Sequence, residues 1–142
     1  FKPYLKKTYD LLKDNGVFLL HTIGQRGIPT ATSPWIRKYI FPGGYIPSLS
    51  EILKATENHN INITDVEILR LHYAYTLQHW YQNTMQHKDK IIKMFDEKFL
   101  RMWEFYLLIS KYSFINMGNM IFQIQIAKNI NSLPLTRNYI YN

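Results

Sequence analysis

Val17 to Ile23, VFLLHTI, is a nearly unbroken apolar run entered through Gly16 from a segment of helical pattern. The run is far shorter than the roughly 18 residues a membrane span needs. Without an alternation of polar and apolar positions, it predicts a strand buried on both faces. Upstream, Tyr4, Leu5, Leu11 and Leu12 fall near helical spacing within residues 2 to 15, and Gly16 stands where a C-cap would sit. A helix that ends on glycine and feeds directly into a buried strand belongs to the α/β class.

The rest of the chain extends that pattern. From Gly24 to Pro47, Gly24, Gly27, Gly43 and Gly44 are interspersed with Pro29, Pro34, Pro42 and Pro47, which predicts a long loop holding one short helix at Trp35 to Ile40. Loops of this length inside a domain usually carry function. Ser48-Leu49-Ser50-Glu51 has the form of a capping box and opens a helix to about Glu57. Ile61 to Leu71 reads as a strand whose apolar phase shifts between Ile63 and Val66, as a bulge requires. Thr76 to Phe114 reads as two helices broken near His87 to Asp89, the second carrying Ile92, Phe95, Phe99, Met102, Tyr106 and Ile109 as one continuous stripe, a packing face rather than a cofactor box. In residues 119 to 128, Phe122, Ile124 and Ile126 alternate with Gln123 and Gln125, a strand with one dry face, which we expect to run antiparallel to the others.

Composition bounds the function. The chain has 142 residues, 46% of them hydrophobic and 19% charged, enough for one domain with a real core. It has no cysteine, so disulfides, thiolate metal sites and a catalytic thiol are excluded. The net charge is +7, with 17 Lys+Arg against 10 Asp+Glu. Lys2, Lys6, Lys7 and Lys13, then Lys88, Lys90, Lys93, Lys98 and Arg101, offer cations to anionic lipid or nucleic acid. The plainer reading is a set of solvated helix faces in a Lys-, Ile- and Asn-rich chain. No nucleic-acid recognition motif accompanies the charge, and nucleic acid is not expected as a partner. The chain opens on Phe1 rather than Met, in helix-forming residues, so we expect a portion to precede it.

No G-x-G-x-x-G, phosphate-binding loop, H-E-x-x-H or G-x-S-x-G occurs. Among His21, His59, His72, His79 and His87, the best-spaced pair is His72 and His79, but His72 is expected to precede the helix, so no metal site is expected. His21 sits inside the apolar strand toward its carboxyl end, where open α/β sheets bind ligands. The plainer alternative is a core histidine satisfied by a backbone carbonyl. Tyr73 follows the next strand and faces the same edge, so imidazole and phenol together are able to hold a small anion or a proton-transfer partner.

LLKDNGVFLLHTIG, PWIRKYIFPGGYIPSLSEI, DVEILRLHYAYTLQHW, FDEKFLRMWEFYLLIS and FQIQIAK, in this order and spacing, closely resemble the C-terminal part of cyclopropane-fatty-acyl-phospholipid synthases, in the S-adenosylmethionine-dependent methyltransferase superfamily. The likeness runs along essentially the whole chain, and HTIG together with IFPGG-x-x-P-S is its most specific part. It implies the C-terminal portion of a Rossmann-like α/β methyltransferase fold with an inserted helical pair before the last strand. Residues 1–142 would then be the back part of a catalytic domain, the cofactor-binding portion lying upstream. It implies transfer of a methylene group from S-adenosylmethionine to the cis double bond of an unsaturated phospholipid acyl chain, with bicarbonate taking the proton, in the cytoplasm at the inner face of the membrane. By motif, His21, the backbone of Ile23, and Tyr73 match the family's bicarbonate-binding positions, with His21 and Tyr73 catalytic, and Phe41 matches an aromatic residue close to the reacting centre. Trp35, Tyr39, Ile40 and Tyr45 are looser candidates for an apolar cleft.

The chain also departs from the family pattern. The Gly-rich turn and the acidic residue that hold S-adenosylmethionine have no counterpart here. Ser110 stands where many members have Cys, and Tyr75 where close relatives often have Glu. Two other readings therefore stand beside the enzyme: a non-enzymatic remnant or lipid-surface binding fragment, and a related methyltransferase with a different acceptor.

Overall fold

Three strands form one sheet in the computed structural model, which describes residues 2–57 and 61–141. They are β1 (Val17–Gln25), β2 (Asn62–Leu69) and β3 (Asn119–Ala127), in the order β1-β3-β2. The last strand lies between the other two and antiparallel to both, as expected. β1 and β2 consequently point the same way, and their carboxyl ends flank the start of β3, with Ile23 and Leu69 both opposite Ile121. β2 shifts register between Ile63 and Asp65, the bulge its apolar phase required.

Helices cover the two faces unequally. On one face α1 (Lys2–Leu11) and α3 (Leu49–Thr56) bring Leu5, Ile52 and Ala55 onto Leu20, Phe122, Ile124 and Ile126. α2 (Pro34–Tyr39) lies within the long loop. On the other face α4 (His72–Gln86) and α6 (Glu97–Asn116), joined through the short α5 (Lys88–Met94), pack Ala74, Leu77, Leu107 and Phe114 around Ile121, Ile23 and Leu69. That second cluster covers only the carboxyl end of the sheet. Farther along the same face, the C-terminal segment supplies cover through an ion pair of Arg137 Nε with Asp65 at 2.6 Å and a hydrogen bond donated by Tyr139 to Gln125 at 2.6 Å.

The expectation that β1 is buried on both faces is therefore corrected: Leu20 is 9% exposed but its neighbour Leu19 is 53% exposed. The apolar run marks a strand whose second face is covered only near Ile23. α1 ends at Leu11, and Gly16 is not a left-handed cap. Its role is close approach, since a Cβ there would lie 2.8 Å from Leu12 Cγ. The inserted helical region is three helices rather than two. Asp96, in extended backbone, accepts the Phe99 N–H at 2.6 Å and starts α6 afresh, so the single helix proposed for the stripe is interrupted between Phe95 and Phe99 although their rings stay stacked. Within α6 the buried positions are Leu107 and Phe114, and Met102 and Ile109 are only half-buried; Phe95, ahead of the helix, is exposed.

Gly24 sets how β1 meets the core. A Cβ at this position would lie 2.0 Å from the ring of Phe122, which is buried and crosses β1 there. We expect Gly24→Ala to lower unfolding stability by about 1–3 kcal/mol through overpacking. A smaller side chain in Gly24→Ala/Phe122→Leu should recover part of that loss relative to Phe122→Leu alone. Urea unfolding midpoints of the four proteins measure this, and additive losses would contradict it.

Candidate functional site at the carboxyl edge

The exit of β1 is tied down on two sides. Gln25 N–H donates to Pro47 O at 2.9 Å, and Gln25 bridges Ser48 in parallel, so the end of the long loop is fastened to the strand. Arg26 N–H donates to Gly118 O at 2.9 Å, which fastens the turn between α6 and β3. In between, Phe41-Pro42-Gly43-Gly44 forms a type II turn: Gly44 N–H donates to Phe41 O at 2.8 Å, with Gly43 at φ 76° and proline at the second position. The loop closes on α3 through Glu51, whose carboxylate accepts the Ser48 N–H at 2.9 Å and the Tyr45 hydroxyl at 2.5 Å. The Tyr45 hydrogen bond, then that of Ser48, holds the Glu51 carboxyl below its ordinary range, and the same contact raises Tyr45.

This scaffold brings Phe41 against α6, where its ring meets Tyr106 edge-on at 5.9 Å. Tyr106 also touches Trp103 at 5.1 Å. Tyr73, at the start of α4, packs on Phe114 at 5.2 Å and Trp80 at 6.0 Å, in the cluster that includes Ile23 and Tyr106. Burial pushes the Tyr106 phenol up, the neighbouring Tyr73 adds to the rise, and a hydrogen bond from the Ser110 side chain opposes it.

His21 lies two residues before Ile23 and on the same face of β1, opposite Gln123 of β3, which is itself opposite Glu67 of β2. Its imidazole is exposed, and Gln123 Nε2 donates to Nδ1 at 3.2 Å. An imidazole that accepts at Nδ1 carries its proton on Nε2 and presents it as a donor. The alternative of a core histidine bonded to a backbone carbonyl is thus corrected. The direction of the Ile23 amide follows from strand geometry. Gln25 N–H points away from β3 to Pro47 and Arg26 N–H points back toward Gly118, so alternation turns the N–H of Ile23 to the outer edge of β1. No strand pairs along that edge among the described residues.

The carboxyl end of β1 therefore carries an imidazole and a free-edge backbone N–H, and the start of α4 a phenol packed in the cluster that also holds Ile23 and Tyr106. Such a donor set suits a planar oxyanion, and the rings suit a cationic centre through their negative faces. Of the looser candidates, Trp35 joins α6 by packing on Phe105 at 4.8 Å, whereas Tyr45 is drawn away to Glu51 and Tyr39 is exposed. Tyr75 is exposed, outside the aromatic cluster. His72 begins α4 rather than preceding it, so it shares that helix with His79. Among the described residues no group of three or more His, Cys, Asp or Glu is placed to hold a metal ion, and His59 lies outside them. Sequence reading missed Tyr106 as a site residue because its spacing placed it in a packing stripe. The only signal was its place in WEFYLLIS, four residues before Ser110.

Because its folded-state value is raised, Tyr106 contributes stability that is fully present below the ordinary phenol value of 10.0 and lost as pH rises through the raised value. We expect the urea midpoint of the native protein to fall further above pH 10.0 than that of Tyr106→Phe. Parallel curves for the two proteins would contradict the assignment.

The chain is similar to known proteins in both sequence and fold. Residues 1–124 match the model of the mycolic acid cyclopropane synthetase family. The chain is 33% identical over 127 residues to the cyclopropane-fatty-acyl-phospholipid synthase of Escherichia coli K12, covering 89% of this chain and 33% of that protein. It is 33% identical over 137 residues to sphingolipid C9-methyltransferase 2 of Gibberella zeae, covering 93% of this chain and 26% of that protein. A crystal structure of mycolic acid cyclopropane synthase CmaA1 complexed with SAH and CTAB superposes with a TM-score of 0.79 at 25% identity, covering 88% of this chain and 48% of that one. The chain thus spans about a quarter to a third of the length of these two curated relatives. With a family match along most of its length and an antiparallel last strand set between two parallel ones, this chain belongs to the mycolic acid cyclopropane synthetase family of S-adenosylmethionine-dependent methyltransferases.

Proposed function

We propose that this chain is the C-terminal part of the catalytic domain of an enzyme that transfers a methylene group from S-adenosylmethionine to the cis double bond of an unsaturated phospholipid acyl chain. The observation that supports the reading is the placement of His21 and Ile23 near the carboxyl end of β1 and of Tyr73 just after β2, with Ile23 and Tyr73 in the cluster whose Tyr106 meets Phe41, in a chain of this family. The Gly-rich turn that would hold S-adenosylmethionine is not among these residues, so methyl transfer requires a cofactor-binding portion beyond them.

The reaction asks two things of the site. S-adenosylmethionine, when bound, would supply an electrophilic methyl group, and its transfer to the alkene with release of S-adenosylhomocysteine would leave positive charge on the acyl chain. The faces of Phe41 and Tyr106 stabilise that charge without offering a reactive lone pair. Ring closure then needs a proton removed from the added methyl group. Bicarbonate bound at the edge would supply the base. His21 Nε2–H, the Ile23 N–H and the Tyr73 hydroxyl would hold it as three converging donors, and Gln123 fixes the imidazole tautomer that makes His21 a donor. Ser110 carries no thiol function and acts on Tyr106 through its hydroxyl.

The acceptor is a membrane lipid, and the enzyme works as a peripheral protein on the cytoplasmic side. No helix among the described residues is long and apolar enough to cross a membrane. A second reading, a sphingolipid acceptor that ends as a branched methyl group, has equal support in sequence identity, 33% to either relative.

In the intact protein we expect His21→Ala and Tyr73→Phe each to lower turnover by roughly tenfold or more, with lipid binding little changed and added bicarbonate partly restoring rate. Turnover unchanged in both variants would remove these residues from the mechanism. Mass and fragmentation analysis of the lipid product separates a ring on a phospholipid from a branch on a sphingolipid. We also expect the 142 residues alone to bind S-adenosylmethionine poorly. Tight stoichiometric binding in a calorimetric titration would overturn the assignment of the cofactor site to another segment.

A further inference from the structure

The outer end of the α4–α6 hairpin combines charge and apolar exposure in a way the catalytic edge does not explain. α4 leaves the sheet at His72, and its 15 residues carry the chain about 20 Å outward at 1.5 Å per residue. Tyr81 donates to Glu104 at 3.1 Å and Trp103 to Thr84 at 3.3 Å, closing the hairpin away from the sheet, and α5 caps its end. There Met94 and Phe95 stand side by side, 65% and 58% exposed. Around them Lys88, Lys90, Lys93, Lys98 and Arg101 are all exposed. The nearby carboxylates are Asp89, Asp96 and Glu97; Asp96 is engaged as the cap of α6, and Glu97 pairs with Arg101 at 3.5 Å. Among the described residues the four lysines make no ion pair.

We propose that α5 and the Phe95–Asp96 turn are the element by which this protein docks on an anionic phospholipid bilayer, with Met94 and Phe95 entering the headgroup region and the lysines ringing them. An apolar pair surrounded by long cationic side chains matches an interface that is negative at its surface and apolar just beneath. Lysine stems follow the apolar surface while their ammonium groups stay at phosphate level. A row of rings leads inward from the same point: Phe95 to Phe99 at 4.2 Å, Phe99 to Trp103 at 6.4 Å, Trp103 to Tyr106 at 5.1 Å and Tyr106 to Phe41 at 5.9 Å. Docking by this tip joins the bilayer to the candidate site through one continuous aromatic face. The inference rests on the lipid-acceptor reading above and specifies the surface that serves it.

The test uses the intact protein and vesicles of either phosphatidylcholine alone or equimolar phosphatidylcholine and phosphatidylglycerol. Sedimentation should show binding to the anionic vesicles that weakens with salt, and Lys90→Gln/Lys93→Gln/Lys98→Gln should weaken it by about tenfold or more. Independently, Phe95→Trp should shift its fluorescence to the blue on anionic vesicles and not on phosphatidylcholine alone. Undiminished binding by the triple variant, or an unshifted reporter on vesicles that bind, overturns the proposal and points to another surface or to a protein partner. Methyl transfer to lipid dispersed in detergent, where no bilayer is present, should be unchanged in the triple variant. Absence of any transfer by the unaltered protein, with tip-dependent vesicle binding intact, would overturn the enzyme reading and leave the docking surface standing.

Discussion

The contact of Phe122 with the backbone of β1 at Gly24 is the constraint on which the site depends. Phe122 belongs to β3, the strand that separates β1 from β2, and its ring is buried where a side chain on Gly24 would otherwise be. That approach fixes β1 against β3 immediately before Gln25 and Arg26, the two residues that fasten the long loop and the α6–β3 turn. The loop that carries Phe41 to Tyr106 is anchored at Pro47 and Ser48 to this strand end and by Trp35 to Phe105 of α6. The glycine of HTIG is thus a packing residue whose consequence is positional: it lets the core and the site share one strand.

The two faces of the sheet do different work. The face under α1 and α3 is dry, built from Leu20, Phe122, Ile124 and Ile126, and supplies cohesion. The other face changes character along its length, from the apolar trio Ile23, Ile121 and Leu69 at the carboxyl end to the polar row His21, Gln123 and Glu67 one step back. Where these rows meet, the imidazole bonded to Gln123 stands two residues along β1 from Ile23, which packs in the aromatic cluster.

Much of this was legible in the sequence, for identifiable reasons. VFLLHTI, INITDVEIL and the Phe122-Ile124-Ile126 alternation declared the three strands, and even the bulge near Ile63 showed as a shift of phase. The burial of β1 did not, because apolar composition reports what a strand tolerates and not how far a helix pair covers it. The break before α6 was missed although Asp96-Glu97 is a cap signal, because the apolar spacing from Ile92 to Phe99 ran across it. The pairing of Phe41 with Tyr106 joins residues far apart in sequence through the anchored loop, and spacing carries no information about such contacts. Strand position alone singled out His21 and Tyr73, and motif resemblance added Ile23 and Phe41 and gave the set a role. The direction of the Ile23 amide and the Gln123 partner of His21 needed coordinates.

The central proposal is that one oxyanion is held between β1 and the start of α4, and a crystal structure of the intact protein grown in bicarbonate tests it most directly. The account predicts a planar anion within hydrogen-bonding distance of His21 Nε2, the Ile23 amide and the Tyr73 hydroxyl, with Gln123 still bonded to His21 Nδ1. An Ile23 amide paired to a neighbouring strand, with the space between His21 and Tyr73 closed by side chains, would contradict it.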